Sequence, residues 1–390
     1  MRRRQVKSTV PTSIFDLPDC LVHEILARLP MKTISNCRFV CKSLRKIISN
    51  PDFASLLLSR SPSSLILSSR DLPRLRFVEL YQSLYPLVIN GDHNEDIVVT
   101  PDAILNLDHK GIPDCFGEWE VLSSCNGLIC LYIPRTYHPY YIVNPLMNDY
   151  VIIPQDKKEL FNQAGSGFGI CPRTKQYKIL RLLHPTFSAR INGPLRLEAE
   201  ITTLGTNLWR KVGVAPSFLH WYSRGCFLNG ALHWILHNAN NCFESVCCYD
   251  FEDEQFHSVP GPLQFVVDPN LTVHSMNLVV LRNLLSIFHY SLSNRLDIWM
   301  MKNYGVKESW TKEFVIELPF PTKSNTPLYQ PIMFYSGEIL MLYAMQLLLS
   351  YSPRDKMFRR IRISGLTFFK AMAYNPTSVS SLNALTGNTC

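Results

Sequence analysis

Three short stretches of the chain carry residue types at spacings that could do chemistry. Gly165-Ser166-Gly167-Phe168-Gly169 is glycine-rich, like the loops that cradle phosphates. It lacks the later glycine of G-x-G-x-x-G and the Lys-Ser/Thr pair of a P-loop, so a strand turn or bulge accounts for it better. His23-Glu24 opens like a zinc-protease helix, but the place of the second histidine is taken by Ala27. Cys37 and Cys41 lie four apart with no second pair and no suitably spaced histidine, so they do not make a zinc site. A G-x-S-x-G nucleophile elbow is missing from the sequence. These residues point to no catalytic group, no metal and no cofactor, and the expectation is a non-enzymatic protein.

Aromatic residues offer binding chemistry instead. Trp209, Trp234, Trp299 and Trp310 sit inside strand-like runs, where packing is the expected use of a large ring. The stretch 217–225 differs: Phe218, His220, Trp221, Tyr222 and Arg224 crowd between Pro216 and Gly225. Loop aromatics beside an arginine are hot-spot chemistry for a protein partner. Trp221, Tyr222 and Arg224 are therefore expected to bind a protein substrate, with Arg135 and Tyr137 in the stretch 132–141 as weaker candidates. The competing reading folds Phe218 and Trp221 down as packing.

The scaffold that must hold such loops changes character near residue 60. Before it, the apolar period is near four. Leu17-Pro18 opens a helix in which Leu21, Ile25 and Leu29 recur at i, i+4 and i+8, with Val22 and Leu26 beside them and His23, Glu24, Ala27 and Arg28 on or near the other face. Pro30 ends it. Thr33 is placed to cap a second helix carrying Ile34, Cys37 and Val40. Ser43 starts a third with Leu44, Ile47 and Ile48, and Asn50-Pro51 a fourth with Phe53, Leu56 and Leu57 inward. Four helices in about forty residues bury too little surface to be comfortable alone, so a partner or the rest of the chain must complete them.

The landmarks Leu17-Pro18, Ile25-Leu26, Arg28-Leu29-Pro30 and Arg38-Phe39-Val40-Cys41-Lys42 follow in an order that resembles the F-box, the module that docks on the Skp-type adaptor of cullin-based ubiquitin ligases. The resemblance implies that Leu17, Pro18, Ile25, Leu29, Pro30, Val40, Cys41 and Leu44 supply adaptor-facing or module-stabilising surface. Two positions depart from the plant pattern: Leu44 stands where an aromatic such as Trp is usual, and Ser35 where Leu is. Both departures are expected to weaken the adaptor contact. The plainer reading is a helical cap on a larger domain.

After residue 60 the period falls to two, in short runs punctuated by Gly, Pro, Asn and Asp. Five units recur, and an aromatic opens the last strand of each: Tyr150, Trp209, Phe256, Trp310 and Phe358, at spacings of 59, 47, 54 and 48 residues. Leu65-Ile66-Leu67 with Phe77-Val78-Glu79-Leu80 reads as one more hairpin. A repeat of about fifty residues with three or four strands is the pattern of a β-propeller, in which blades cover one another's faces. Six or seven blades are expected, some incomplete. The Gly-Gly doublet of kelch repeats is missing, and a pair of β-sandwiches is the alternative.

The set Ser123-Ser124-Cys125-Asn126-Gly127-Leu128, Val143-Asn144-Pro145, Gly167-Phe168-Gly169, Trp209-Arg210, His233-Trp234, Leu296-Asp297-Ile298-Trp299 and Tyr304-Gly305-Val306-Lys307-Glu308-Ser309-Trp310 resembles the plant F-box-associated domain more than kelch. The expected fold class is thus α+β multidomain: a small N-terminal helical F-box, then a large all-β, propeller-like domain. The expected boundaries are a flexible basic tail over 1–11, the helical module over 12–60, the β domain over 61–370 and a disordered tail over 371–390. The resemblance implies a substrate-recognition subunit whose partners are a Skp-type adaptor, cullin through it, and a protein substrate. The alternative is a propeller-type small-molecule sensor or enzyme with a helical cap.

Charge and cysteine usage narrow the setting. Residues 1–60 hold eleven Lys/Arg and four Asp/Glu, leaving 39 − 11 = 28 basic and 31 − 4 = 27 acidic residues beyond. The basicity therefore belongs to the module and its tail, and a nucleic-acid-binding face on the β domain is not expected. The most lipophilic run, Ile339 to Leu349, is about half a membrane span, so no membrane partner is expected. Twelve irregularly spaced cysteines, several inside apolar patterns, fit free thiols in the nucleus or cytoplasm.

Overall fold

The structure, a computed structural model, describes residues 13–60, 64–69, 74–80, 97–106, 120–133, 139–155, 161–185, 197–206, 208–216, 225–237, 243–267, 276–291, 294–320, 328–378 and 381. A 3-10 turn at Ile14–Asp16 precedes α1 (Asp19–Leu26), α2 (Met31–Cys37), α3 (Lys42–Ile48) and α4 (Pro51–Arg60). The four expected helices form, with starts set slightly differently. Pro18 and Pro30 stand just outside α1 and α2, so Thr33 lies within α2 instead of capping it. α3 starts beside Ser43 as expected, and Cys41 caps it, its Sγ accepting from the Leu44 amide at 3.5 Å. Asn50 caps α4 as expected, Oδ1 taking the Asp52 amide at 2.8 Å.

The β domain begins with β1 (Ser64–Ser69), β2 (Arg74–Glu79), β3 (Ile97–Val99) and β4 (Asp102–Asn106). Then come β5 (Glu120–Cys125), β6 (Leu128–Tyr132), β7 (Tyr140–Asn144) and β8 (Asp149–Ile153), followed by β9 (Phe161–Ile170), β10 (Tyr177–Pro185), β11 (Leu197–Thr203) and β12 (Trp209–Ala215). Next are β13 (Cys226–Leu228), β14 (Ala231–His237), β15 (Phe243–Asp250) and β16 (Phe256–Val259), a short α5 (Leu263–Val267), and β17 (Met276–Leu281), β18 (Leu284–Ser291), β19 (Arg295–Met301) and β20 (Trp310–Glu317). The last are β21 (Tyr329–Tyr335), β22 (Glu338–Tyr343), β23 (Leu347–Ser352), β24 (Met357–Ile363) and β25 (Phe369–Tyr374).

These strands make six sheets, so the ring is a six-bladed propeller. Four blades are runs of consecutive strands, β5–β8, β9–β12, β13–β16 and β17–β20. The first strands of neighbouring blades touch in a closed circuit: β5 meets β9, β9 meets β13, β13 meets β17, β17 meets β21, β21 meets β25, and β25 meets β5. Each blade buries both faces against its neighbours, as a small sheet must.

The ring is closed by mixing early and late strands. β25 lies antiparallel to β1, from Ser64 opposite Tyr374 to Ser69 opposite Phe369, in the order β25-β1-β2-β4. β3 adds in parallel to the outer edge of β24 as a fifth strand. This corrects the expected disordered tail over 371–390 at residues 371–378 and 381; the rest of it lies outside the described residues. Residues 371–374 are propeller strand, and Thr377, Ser378 and Ser381 are buried. The closing strand pairs with a segment some three hundred positions away, a partner that local pattern does not reveal.

Local devices repeat from blade to blade. Asn126-Gly127 and Asn229-Gly230 adopt positive φ at both positions, the two-residue hairpin turn that suits strand twist. The Trp209 indole donates to the Pro154 carbonyl at 2.7 Å, and Trp310 to Pro260 at 2.8 Å. In both cases the aromatic that opens a blade's outer strand is bonded to the proline ending the preceding blade's outer strand. Gly165–Gly169 belongs to β9, which bulges opposite Leu182/Leu183. A Cβ on Gly167 would fall 2.3 Å from Leu232, and one on Gly169 2.3 Å from Phe227. The glycines let the next blade close onto β9.

Candidate functional site

The helical module has two apolar sides. Val22, Leu26, Met31, Ile34, Leu44, Ile48, Phe53 and Leu57 pack in one continuous core with Ile66, Phe77, Ile129, Tyr141, Val143 and Tyr374 of the propeller. Polar contacts fix the seat. The Met31 amide donates to Glu79 Oε1 at 2.7 Å, Ser35 Oγ to the Leu146 carbonyl at 2.9 Å, and Arg38 Nη1 to the Met147 carbonyl at 3.4 Å. Burial holds the Arg38 guanidinium below its ordinary pKa, against the attraction of Asp149. The module thus borrows its missing core from the rest of the chain, one of the two solutions its size required.

Away from that seat, Ile14, Phe15, Leu21, Ile25, Phe39 and Val40 remain exposed, Phe39 at 81% and Val40 at 71%. Large apolar side chains this exposed, six within twenty-seven positions, mark an interaction surface. The α1 stripe is therefore split. Val22 and Leu26 turn to the propeller while Leu21 and Ile25 turn to solvent, because the apolar positions are too wide a band for one contact.

The eight module residues singled out by sequence divide the same way. Pro18, Ile25 and Val40 are exposed and available to a partner. Leu17, Leu29 and Cys41 are half-buried against the shared core, and Pro30 is half-buried at the start of α2. Leu44 is inside the core. The two departures from the plant pattern sit away from the solvent side: Leu44 is buried, and the Ser35 hydroxyl is bonded to the propeller. Phe15 and Phe39 join the exposed set. Their signal in the sequence was a bulky aromatic outside the helical period.

The five substrate-facing candidates, Trp221, Tyr222, Arg224, Arg135 and Tyr137, lie outside the described residues. Trp234 and Trp299 are buried, as their strand positions predicted. Polar groups within and between blades are structural in their geometry. Arg181 and Glu200, opposite each other on β10 and β11, form a buried pair with both Nε (3.0 Å) and Nη2 (2.7 Å) on Glu200 Oε2, and the guanidinium lies 4.1 Å over the Trp209 ring. His233 holds the Cys226 carbonyl with Nδ1 at 3.0 Å and the Tyr304 hydroxyl with Nε2 at 2.6 Å. Burial pushes the His233 pKa down to about 4 and the Cys226 thiol up to about 12. The buried imidazole ties two blades together through its bond to Tyr304, which lies between β19 and β20. Among the described residues no group of three His, Cys, Asp or Glu could hold a metal ion.

Comparison with known proteins follows the same division. Residues 14–56 match the F-box domain family and residues 81–363 the F-box associated beta propeller domain family. The F-box protein At3g07870 of Arabidopsis thaliana is 28% identical over 390 residues, 90% of this chain and 88% of its own length. The F-box/kelch-repeat protein At3g23880 of the same plant is 26% identical over 333 residues, 80% of this chain and 82% of its own. A solved oligogalacturonate lyase from Vibrio parahaemolyticus superposes with a TM-score of 0.42 at 8% identity over 83% of this chain and 94% of its own, too slight a likeness to bear on chemistry.

Proposed function

Since the chain belongs to the F-box proteins that carry an F-box-associated β-propeller domain, we propose that it is the substrate-recognition subunit of a Skp–cullin–F-box ubiquitin ligase. The observation that carries the reading is the two-sided module: one side completes the propeller core, while Leu21, Ile25, Phe39 and Val40 are left exposed on a unit whose family docks a Skp-type adaptor. The propeller holds a protein destined for ubiquitination. The chain's contribution is effective concentration and orientation of substrate lysines, without a bond-making group of its own. The described cysteines are free and mostly buried, which suits work in the nucleus or cytoplasm.

The test is affinity capture from a plant extract with the full chain and with Ile25→Glu/Val40→Glu. Adaptor and cullin should be retained by the first and lost from the second. Proteins retained by both are substrate candidates, and the assembled ligase should ubiquitinate them in vitro. Adaptor retained equally by both overturns the proposal.

A further inference from the structure

At the β7–β8 hairpin the helical module, the propeller and the last described residues meet. Asn144, fully buried at the end of β7, makes three bonds. Its Oδ1 accepts from the amides of Leu146 (2.9 Å) and Met147 (3.1 Å), and its Nδ2 donates to the Thr377 carbonyl at 3.0 Å. The carbonyls of the same Leu146 and Met147 receive Ser35 and Arg38 of the module. Asp149, across the hairpin, accepts from the Ser381 amide (3.0 Å) and hydroxyl (2.6 Å) and attracts the Arg38 guanidinium. Tyr374 donates to the Gly127 carbonyl at 3.0 Å, and Thr377 runs so close over Gly127 that a Cβ there would fall 2.2 Å from it.

We propose that residues 375–378, together with Ser381, are a strap that locks the β7–β8 hairpin, with Asn144 as the positioning residue that transmits the lock to α2. The logic is one of shared bonds. The turn at 145–148 presents two carbonyls to the module, and its shape is held by the Asn144 side chain. That side chain is held in turn by the strap. A buried amide with a partner on each side is rigid, and loss of one partner leaves the others free to rotate. The propeller does not need the strap for closure, because β25 ends at Tyr374. The strap therefore sets the orientation of the module on the ring, and with it, on the adaptor reading above, the angle between adaptor and bound substrate.

Amide hydrogen exchange on the purified full chain tests this with no adaptor present. Two variants are compared with the parent: one ending after Tyr374, and Asn144→Asp, which keeps the acceptor for Leu146 and Met147 but removes the donor to Thr377. Both should raise exchange of α2 and of the 145–148 turn about tenfold or more, while β14, β18 and β22 on the other blades exchange as before. Unchanged α2 exchange in either variant overturns the proposal, as does a rise spread evenly over all six blades. Because nothing in the measurement depends on an adaptor, its failure leaves the adaptor reading standing, and failure of adaptor capture leaves the strap standing.

Discussion

At the scale of single residues, location rather than residue type separates stabilising from recognising roles. Leu44 is apolar and belongs to the resemblance, yet it sits in the core shared with the propeller. Leu44→Ala should cost about 2–5 kcal/mol of stability, read by chemical denaturation, as for other buried leucines. His233 makes a pH prediction whose sign follows from its shift. Its folded pKa of about 4 lies below the ordinary 6.5, because burial disfavours the charged ring. Between these values the unfolded chain binds a proton that the folded chain refuses. Stability is therefore complete above about pH 6.5 and falls as pH drops toward 4, by at most about 3 kcal/mol. The pH slope of urea stability over that window should be smaller in His233→Asn by one proton. An unchanged slope would place the titration elsewhere.

At the scale of elements, the helices were legible because Leu17-Pro18 and Asn50-Pro51 mark two of their starts and Pro30 separates the first from the second, although Pro30 itself and not Thr33 stands at the start of α2. On α4 the inward side was legible as well, since Phe53 and Leu57 are buried and Leu56 packs against the same core; on α1 it was not. On α1 the positions 21, 22, 25 and 26 are all apolar, and a band that wide satisfies two contacts at once. Only the propeller, absent from local pattern, decides that Val22 and Leu26 go to it. The shared core has a consequence for unfolding. Phe53, fully buried in α4, joins helices and blades in one cluster. Phe53→Ala should lower stability by about 3–5 kcal/mol, and the helical circular-dichroism signal should melt together with the tryptophan fluorescence of the blades. Helices that melt ahead of the blades would show two separate cores.

At the scale of the whole molecule, the blade strands were readable from alternation and from the aromatics that open each outer strand, since two of those tryptophans bond the preceding blade. The closing strand was not. β25 (Phe369–Tyr374) lacks a clear two-residue alternation, its partner β1 lies at the other end of the domain, and register between distant segments leaves no local mark. The parallel addition of β3 to β24 likewise leaves no local mark in the sequence. Ending the chain after Ile363 should leave β1 an open edge and abolish cooperative unfolding, in contrast to ending it after Tyr374, which keeps the closing pair.

The central claim is that one side of the helical module belongs to the propeller and the other to an adaptor. Titration calorimetry of the purified chain with a purified Skp-type adaptor tests it most directly, with Ile25→Glu/Val40→Glu as the control for the exposed side. The parent chain should bind, and the variant should lose at least a hundredfold in affinity, about 2.7 kcal/mol, while its melting temperature stays within a degree or two of the parent. Equal affinity for both chains, or a variant that loses binding only because it no longer folds, would contradict the account.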